Sequence, residues 1–323
     1  MTPVTKLLIS VLAALGLATA AEAEDSPFVA GHAVIAIWPG PAPGGEHATA
    51  REEVVERPLT PGGLRDRIIK GVTRPTLTVF RPAHPNGAAL LMAPGGGYAW
   101  VVMDKEGYEA AERFAASGVT VFVMTYRLPQ EGWAAGPDTP LQDAQRALRL
   151  IRFHAADYGV DPHRLGVIGF SAGGHVAGML TLAFDRPVYA PIDSVDQVSA
   201  RPDISILMYP VASMDAAIAH VGSRRNLLGE APSLDRTAAY SLEALARPDA
   251  PPVMLVHALD DHSVPVENSL RLLAALRAAH VPVEAHLFEE GGHGFGIRFA
   301  AGKPAQAWPD LVLGWMRRKG MLG

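Results

Sequence analysis

Residues 169–174 read Gly-Phe-Ser-Ala-Gly-Gly, so that one serine, Ser171, stands between small residues. Residues 165–170 have the apolar pattern of a buried strand, and residues 175–184 have the pattern of a helix. A serine on a sharp strand-to-helix turn projects its hydroxyl above the sheet, because small neighbours let the backbone pass closely. The start of the helix also points unpaired N–H groups at the same place. This pattern predicts that Ser171 is a nucleophile in acyl transfer.

A serine hydroxyl needs a base to activate it. His293 lies in the glycine-rich segment 291–294, directly after a predicted strand at 283–288, and from such a loop it can reach the nucleophile. Three other histidines lie within predicted strands or the helix after the serine, and we expect them to pack in the core: His175, His257 and His286. We therefore expect His293 to be the base.

The base in turn needs an acid that orients it, and two adjacent aspartates compete for this role. Both follow the predicted strand 253–258. Asp261 is favoured because it stands farther into the loop at the carboxyl end of the strand. Asp260 could instead cap the turn or the helix that follows.

Stabilisation of the oxyanion needs backbone donors close to the serine. The N–H of Ala172, directly after the serine, is the first candidate. The second donor should come from segment 93–98, which reads Ala-Pro-Gly-Gly-Gly-Tyr and follows an apolar strand. Its consecutive glycines carry no side chains, so their N–H groups can approach a developing oxyanion.

The elements that must position these residues alternate between short apolar runs and helical patterns. Such alternation predicts an α/β domain with a mostly parallel sheet and helices on both faces. We predict strands at 77–81, 89–93, 119–126, 165–170, 204–209, 253–258 and 283–288, and helices at 141–158 and 266–279. Segment 213–249 lacks a clean period and is interpreted as an insertion over the sheet. The catalytic domain is expected to span 67–323, after an extended leader, 24–66, that is rich in Pro and Gly.

Composition excludes several classes of function. The formal charge is -5 and no cationic cluster alternates with aromatic residues, which argues against nucleic acid as a partner. The absence of cysteine from the sequence excludes disulfides, thiolate zinc sites and cysteine nucleophiles. No His-Glu-x-x-His pair occurs either, so we expect an enzyme without metal or cofactor.

The N-terminus has the three parts of a secretory signal. Lys6 precedes the apolar stretch 7–17, and the small residues of Ala21-Glu22-Ala23 follow. The apolar stretch is too short to span a bilayer of ~30 Å. We expect a signal peptide at 1–23, a mature protein in the periplasm or outside the cell, and no membrane association after cleavage.

Five segments together resemble the acetylxylan-esterase-like branch of the α/β-hydrolases: residues 94–98, 126–128, 169–175, 261–265 and 292–294. The resemblance extends over about 67–319 and implies the α/β-hydrolase fold. It also implies a triad of Ser171, Asp261 and His293, with Gly96, Gly97 and Ala172 as oxyanion donors. Asp143 lies in another segment that looks like the family, and we expect it to be structural. Lipases of related branches carry histidine before the three glycines, whereas this sequence has Pro94.

The resemblance implies an exported serine esterase that deacetylates xylan or acetylated oligosaccharides through an acyl-enzyme on Ser171. A serine peptidase of the same fold is an alternative, but such peptidases usually carry a large N-terminal propeller or cap. A non-catalytic binding protein is another alternative, but such relatives have generally lost triad members. The partner is expected to be a small-molecule, oligosaccharide or polysaccharide ester. Trp100 and Trp133 could stack on its sugar rings or pack in the protein.

The signal predicts that the mature protein begins at Glu24, since signal peptidases cleave after a small residue such as Ala23. N-terminal sequencing of the exported protein measures this directly. Recovery of exported protein that still carries Met1 would contradict the prediction.

Overall fold

The computed structural model describes residues 24–25, 29–57 and 63–322. The predicted signal peptide, 1–23, lies outside these residues. In the described part of the chain, no helix combines the length and apolar character needed to cross a membrane.

The described residues form a large, mostly parallel sheet with helices packed against it. The strands are β1 Glu24–Asp25, β2 Ala33–Ala36, β3 Glu53–Glu56, β4 Arg67–Lys70, β5 Thr76–Phe80, β6 Ala89–Ala93, β7 Val101–Val102, β8 Thr120–Met124, β9 Leu165–Phe170, β10 Ser205–Met208, β11 Val253–Ala258 and β12 Val283–Phe288. The helices are α1 Glu109–Ala115, α2 Thr139–Phe153, α3 Ala172–Leu182, α4 Val221–Leu228, α5 Leu234–Ala239, α6 Glu267–Ala278 and α7 Trp308–Arg318.

The main sheet has nine strands in the order β1-β2-β5-β8-β6-β9-β10-β11-β12. Six neighbouring strands run parallel: β8, β6, β9, β10, β11 and β12. Strands β1, β2 and β5 form an antiparallel edge. Every residue of β6, β8, β9, β10 and β11 is buried, which explains why these strands are continuous apolar runs. The carboxyl ends of the parallel strands therefore meet at one edge of the sheet, where loops can carry a site.

The described part of segment 24–66 belongs to the domain and is not a leader that precedes it. Strand β2 pairs with β5, and β3 pairs with β4 in a second sheet of three strands. Ile37 and Trp38 are buried in the core, and Trp38 Nε1 donates a hydrogen bond of 2.7 Å to Asp143 Oδ1. The continuous apolar run at 33–38 was the available signal for this strand, but the Pro- and Gly-rich residues that follow favoured an extended leader.

A buried ion pair joins the start of α2 to the loop after β8. Arg127 Nη2 lies 2.7 Å from Asp143 Oδ1, and both side chains are fully buried. Asp143 also accepts a hydrogen bond from the Arg127 N–H, and Arg127 donates one to Gln142. Removal of either partner would leave an uncompensated buried charge, so Asp143 is a structural residue, as its place near the helix start predicts.

The insertion at 213–249 consists of short helices, which explains its lack of a clean period. It contains α4, α5 and a 3₁₀ turn, Leu242–Leu245. Asn226 Nδ2, on α4, donates a hydrogen bond of 2.8 Å to the carbonyl of Gly97. The insertion thus contacts the glycine-rich loop after β6.

Candidate active site

Ser171 lies on the turn between β9 and α3 with a strained backbone. Its backbone φ of 53° lies in a region that residues other than Gly rarely adopt. A Cβ at Gly169 would lie 2.1 Å from the carbonyl oxygen of Gly173, and a Cβ at Gly173 would lie 2.1 Å from that of Ala93. Glycine is therefore required on both sides of the serine, as the sequence motif predicts.

The structure brings His293 to Ser171. His293 Nε2 lies 2.9 Å from Ser171 Oγ, and His293 Nδ1 lies 2.7 Å from Asp261 Oδ2. Because an ionised carboxylate only accepts hydrogen bonds, Nδ1 carries the proton and Nε2 accepts from the serine hydroxyl. This tautomer lets His293 remove the proton from Ser171.

Asp261 is buried and accepts several hydrogen bonds. Its Oδ1 accepts from the N–H groups of Ser263 and Val264, both at 2.9 Å. Burial disfavours the ionised carboxylate, but hydrogen bonds from His257 and His293 outweigh it and hold the pKa of Asp261 well below its ordinary value. Asp261 is therefore ionised whenever His293 acts as a base.

Asp260 has a different set of partners. Its Oδ1 accepts hydrogen bonds from the N–H groups of Gly291, at 2.9 Å, and Gly292, at 2.7 Å. These bonds, with that of Gly292 the larger effect, lower the pKa of Asp260. Of the two adjacent aspartates, Asp261 contacts His293, and Asp260 holds the backbone of the loop that carries it.

His257 has a role that the sequence analysis did not predict. It is fully buried, as expected, but its Nε2 lies 3.0 Å from the Val264 carbonyl and 3.3 Å from Asp261 Oδ2. Since both are acceptors, Nε2 carries the proton, and Nδ1 accepts from Ser269 Oγ at 2.8 Å. His257 thus donates to the same carboxylate oxygen that the base contacts and helps to orient the acid. Its place near the end of a buried strand was the available signal.

The expectation that His286 packs in the core is wrong. It is partly exposed on β12, and its Nε2 lies 2.9 Å from Glu284 Oε1. The reason is that β12 is the edge strand of the main sheet. His175, in contrast, is buried as expected.

The three predicted oxyanion donors lie beside the serine. Gly96 and Gly97 line the same cavity as Ser171, and Ala172 is the first residue of α3. Within the described part of the chain, no hydrogen bond uses the N–H of any of the three. The N–H of Gly95, in contrast, is bound to Glu106 Oε2 at 2.9 Å. The donors are thus free to bind an oxyanion.

Tyrosines hold the glycine-rich loop from both of its ends. Tyr126 Oη donates to the Pro94 carbonyl at 2.7 Å, which anchors the loop where related lipases carry a histidine. Tyr98 Oη lies 2.6 Å from His175 Nδ1, and His175 Nε2 lies 2.7 Å from the Tyr240 carbonyl. Because a carbonyl only accepts, His175 donates from Nε2 and accepts the Tyr98 hydroxyl proton at Nδ1.

Glu106 is a second site residue that the sequence analysis missed. It lies on a π-helical turn, Asp104–Tyr108, before α1, and is almost fully buried. Besides the Gly95 bond at Oε2, its Oε1 accepts from Tyr209 Oη at 3.2 Å, and Tyr209 Oη accepts from the Gly296 N–H at 3.3 Å. Glu106 thus links the glycine-rich loop to the loop that carries His293.

A cavity of ≈ 450 Å³ opens over the serine. Ser171, His293 and Trp100 are among the residues that line it. Trp133 does not line it, because it is buried with the Arg127 guanidinium 4.8 Å from its ring centre. Of the two tryptophans considered for sugar stacking, Trp100 alone lines this cavity.

Comparison with known proteins gives the family and the fold. The family model BD-FAE matches residues 79–276. An acetylxylan esterase of Xylanibacter ruminicola is 33% identical over 68% of this chain and 44% of its own length. The endo-1,4-beta-xylanase B of Butyrivibrio fibrisolvens is 37% identical over 64% of this chain and 32% of its own length. This chain thus spans less than half of the length of these two curated relatives.

A solved structure matches nearly end to end. The acetyl ester-xyloside bifunctional hydrolase of Caldicellulosiruptor lactoaceticus is 32% identical with a TM-score of 0.72, and the match covers 90% of this chain and 97% of that one. A propionate-bound esterase of Thermogutta terrifontis is 25% identical with a TM-score of 0.62, over 85% of this chain and 96% of that one.

The partners of the two aspartates predict different effects of removing each charge. In Asp261→Asn the amide can present an N–H to His293 and favour the wrong tautomer, so we expect turnover to fall by ~10⁴. Asp260→Asn keeps an oxygen that can accept from Gly291 and Gly292, and we expect a far smaller loss. Rates on p-nitrophenyl acetate are compared after thermal melts show that both variants fold. An inactive Asp260→Asn beside a near-normal Asp261→Asn would reverse the assignment.

Burial of His175 predicts an acid-sensitive contribution to stability. Burial lowers the pKa of His175 from its ordinary value of 6.5 to about 4. The folded state therefore favours the neutral ring, and its stabilisation is complete above pH ~6.5 and lost as the pH falls toward ~4. The full loss is about 3 kcal/mol.

Urea unfolding between pH 7.5 and 4.5 measures this contribution. The matched variant is His175→Asn, whose amide can donate and accept but does not titrate. We expect the free energy of unfolding of the variant to fall less steeply with acid than that of the natural protein. Identical slopes for the two proteins would rule out His175 as the source.

Proposed function

The chain belongs to the BD-FAE family of α/β-hydrolase esterases, and from this we propose that it is an exported esterase that deacetylates xylan or acetylated oligosaccharides. The predicted fold class is confirmed by this relationship. The relatives named as esterases support the assignment of the chain as a serine hydrolase of carboxylic esters. The observation that carries the proposal is the chain of contacts from Asp261 through His293 to Ser171, beside free backbone donors.

In the proposed first step, Ser171 Oγ attacks the acetyl carbonyl carbon while His293 Nε2 takes the hydroxyl proton. The carbonyl oxygen becomes an oxyanion and accepts hydrogen bonds from the N–H groups of Gly96, Gly97 and Ala172. Loss of one such donor typically costs ~3 kcal/mol of barrier stabilisation. The imidazolium of His293 is stabilised by ionised Asp261.

The tetrahedral intermediate then collapses, and the bond from carbon to the sugar oxygen breaks. His293 gives its proton to that oxygen, so the sugar leaves as a neutral alcohol and acetyl remains on Ser171. Water enters, loses a proton to His293 and attacks the acyl carbon. Acetic acid is released as the proton returns to Ser171 Oγ.

The substrate class is supported by the relatives and by the cavity. The names of two matched proteins refer to acetylxylan and to acetyl ester-xyloside substrates. Trp100 presents an aromatic surface to a cavity of ≈ 450 Å³, and aromatic rings bury the apolar faces of sugars. Export suits a polymeric substrate, which does not enter the cell, and it rests on the predicted signal peptide at 1–23.

Replacement of the nucleophile tests the chemistry. We expect Ser171→Ala to lower the turnover of p-nitrophenyl acetate by ~10⁶, as loss of the serine does in a triad enzyme. Ser117→Ala, which removes a hydroxyl outside the cavity, is the matched control and should keep normal turnover. Full activity of Ser171→Ala would contradict the assignment.

Product analysis tests the substrate. We expect acetate release from acetylated xylan to exceed hydrolysis of feruloylated arabinoxylan and of simple alkyl esters at equal ester concentration. Release of amines from peptides without release of acetate would favour the peptidase alternative instead.

A further inference from the structure

The active-site cavity has a charge opposite to that of the whole chain. The sequence has a formal charge of -5. Among the described residues, the charged side chains that line the cavity are nonetheless mainly cationic: Arg57, Lys105 and Arg225 against Glu106. Local excess of one charge in a concave site concentrates ligands of the opposite charge.

Glu106 offsets only part of this positive charge, since one carboxylate faces three cationic side chains. Its side chain is almost fully buried. One carboxylate oxygen accepts from the Gly95 N–H and the other accepts from the Tyr209 hydroxyl. These oxygens bind the two loops that Glu106 links, but a Cβ at Gly294 would lie 3.3 Å from Glu106 Oε1, so this carboxylate also stands near Lys105.

Lys105 lies beside the residue that follows the catalytic base. A Cβ built at Gly294, the residue after His293, would lie 3.0 Å from Lys105 Nζ. Among the described residues, Lys105 forms no ion pair, and its ammonium lies 5.7 Å from the centre of the Phe299 ring. The ammonium group is thus available to a ligand in the cavity.

The two arginines differ in their partners. Arg57 Nη2 lies 2.6 Å from Asp66 Oδ1, so this charge is offset. Arg225 Nε lies 3.9 Å from Glu230 Oε1, and both side chains are more than half exposed. Such an exposed, long pair contributes little and can yield to a better anion. Lys105 and Arg225 therefore carry the excess positive charge of the cavity.

We infer that this cavity takes esters that also carry a carboxylate, which Lys105 and Arg225 bind while Ser171 attacks the ester carbonyl. The inference rests on the proposed function, because it names the substrate class of the same site. Charge-assisted hydrogen bonds to a carboxylate are about twice as strong as neutral ones, and a concave site screens them less than bulk water does. A uronic acid unit in an acetylated oligosaccharide supplies such a carboxylate in the alcohol part of the ester. A dicarboxylic half-ester supplies it in the acyl part.

Paired substrates test the inference on the natural protein. For the alcohol part, kcat/KM for 4-acetoxybenzoate is compared with that for the neutral 4-acetoxybenzamide. For the acyl part, the p-nitrophenyl half-ester of succinate is compared with p-nitrophenyl butyrate. Each value is divided by the rate of imidazole-catalysed hydrolysis of the same ester, which removes intrinsic differences in reactivity. We expect about tenfold preference for the carboxylate in at least one pair, and a smaller preference at high NaCl concentration.

Charge removal identifies the partners. Lys105→Gln and Arg225→Gln should each lower the ratio of carboxylated to neutral turnover several-fold, as loss of one charged hydrogen bond does. Lys319→Gln removes the same charge from an exposed residue outside the cavity and should leave the ratio unchanged. Thermal melts show whether the variants fold. The comparison of paired substrates on the natural protein tests the inference even if a variant does not fold.

The natural substrate class is tested with acetylated xylo-oligosaccharides that carry or lack a uronic acid substituent. Faster acetate release from the acidic oligosaccharides supports the inference and places the carboxylate in the alcohol part. Equal or slower turnover of the carboxylated member of every pair overturns the inference. In that case, Ser171-dependent hydrolysis of the neutral esters would leave the proposed function intact. Absence of turnover of all these esters would instead overturn the proposed function.

Discussion

The site depends on how closely two backbone segments approach each other at the carboxyl ends of neighbouring strands. Ala93, at the end of β6, pairs with Gly169 of β9, so the glycine-rich loop and the serine turn begin side by side. A Cβ at Gly95 would lie 2.7 Å from the Phe170 carbonyl oxygen and 3.0 Å from Ser171 Cβ. Only backbone therefore separates the oxyanion donors from the nucleophile, and any larger residue would push the two segments apart.

The strain of this arrangement is maintained by buried polar contacts from other parts of the fold. Among the described residues, four other than Gly have a positive φ, and three of them are Tyr98, Ser171 and Tyr209. The hydroxyls of both tyrosines bind partners that fix the loops: His175 for Tyr98, and Glu106 with the Gly296 N–H for Tyr209. Burial raises the pKa of each tyrosine well above its ordinary value, so both remain neutral hydroxyls. Strain at a catalytic site persists when the surroundings determine it in this way.

The sequence predicted the buried parallel strands well, because a strand covered on both faces is a continuous apolar run. Strands β6, β9 and β11 have the predicted bounds, and so does the partly exposed edge strand β12. The serine, its base and its acid were predicted from local motifs and chain order, and the structure brings them together. Strand β2 was missed because the Pro- and Gly-rich segment that follows it favoured an extended leader, although residues 33–38 form a continuous apolar run. Glu106 and His257 were missed because their roles come from tertiary contacts: Tyr209 lies 103 positions from Glu106 along the chain.

The charge distribution around His293 connects the site's chemistry to the substrate class inferred for it. Transfer of the serine proton makes the imidazole positive while Lys105 stands beside the next residue. Asp261 offsets the new charge, and His257 helps to orient its carboxylate through a hydrogen bond to the same oxygen, Oδ2. A carboxylate on the bound ester would neutralise Lys105 at the moment when His293 becomes charged, so the same contact would strengthen binding and lower the barrier to acyl transfer.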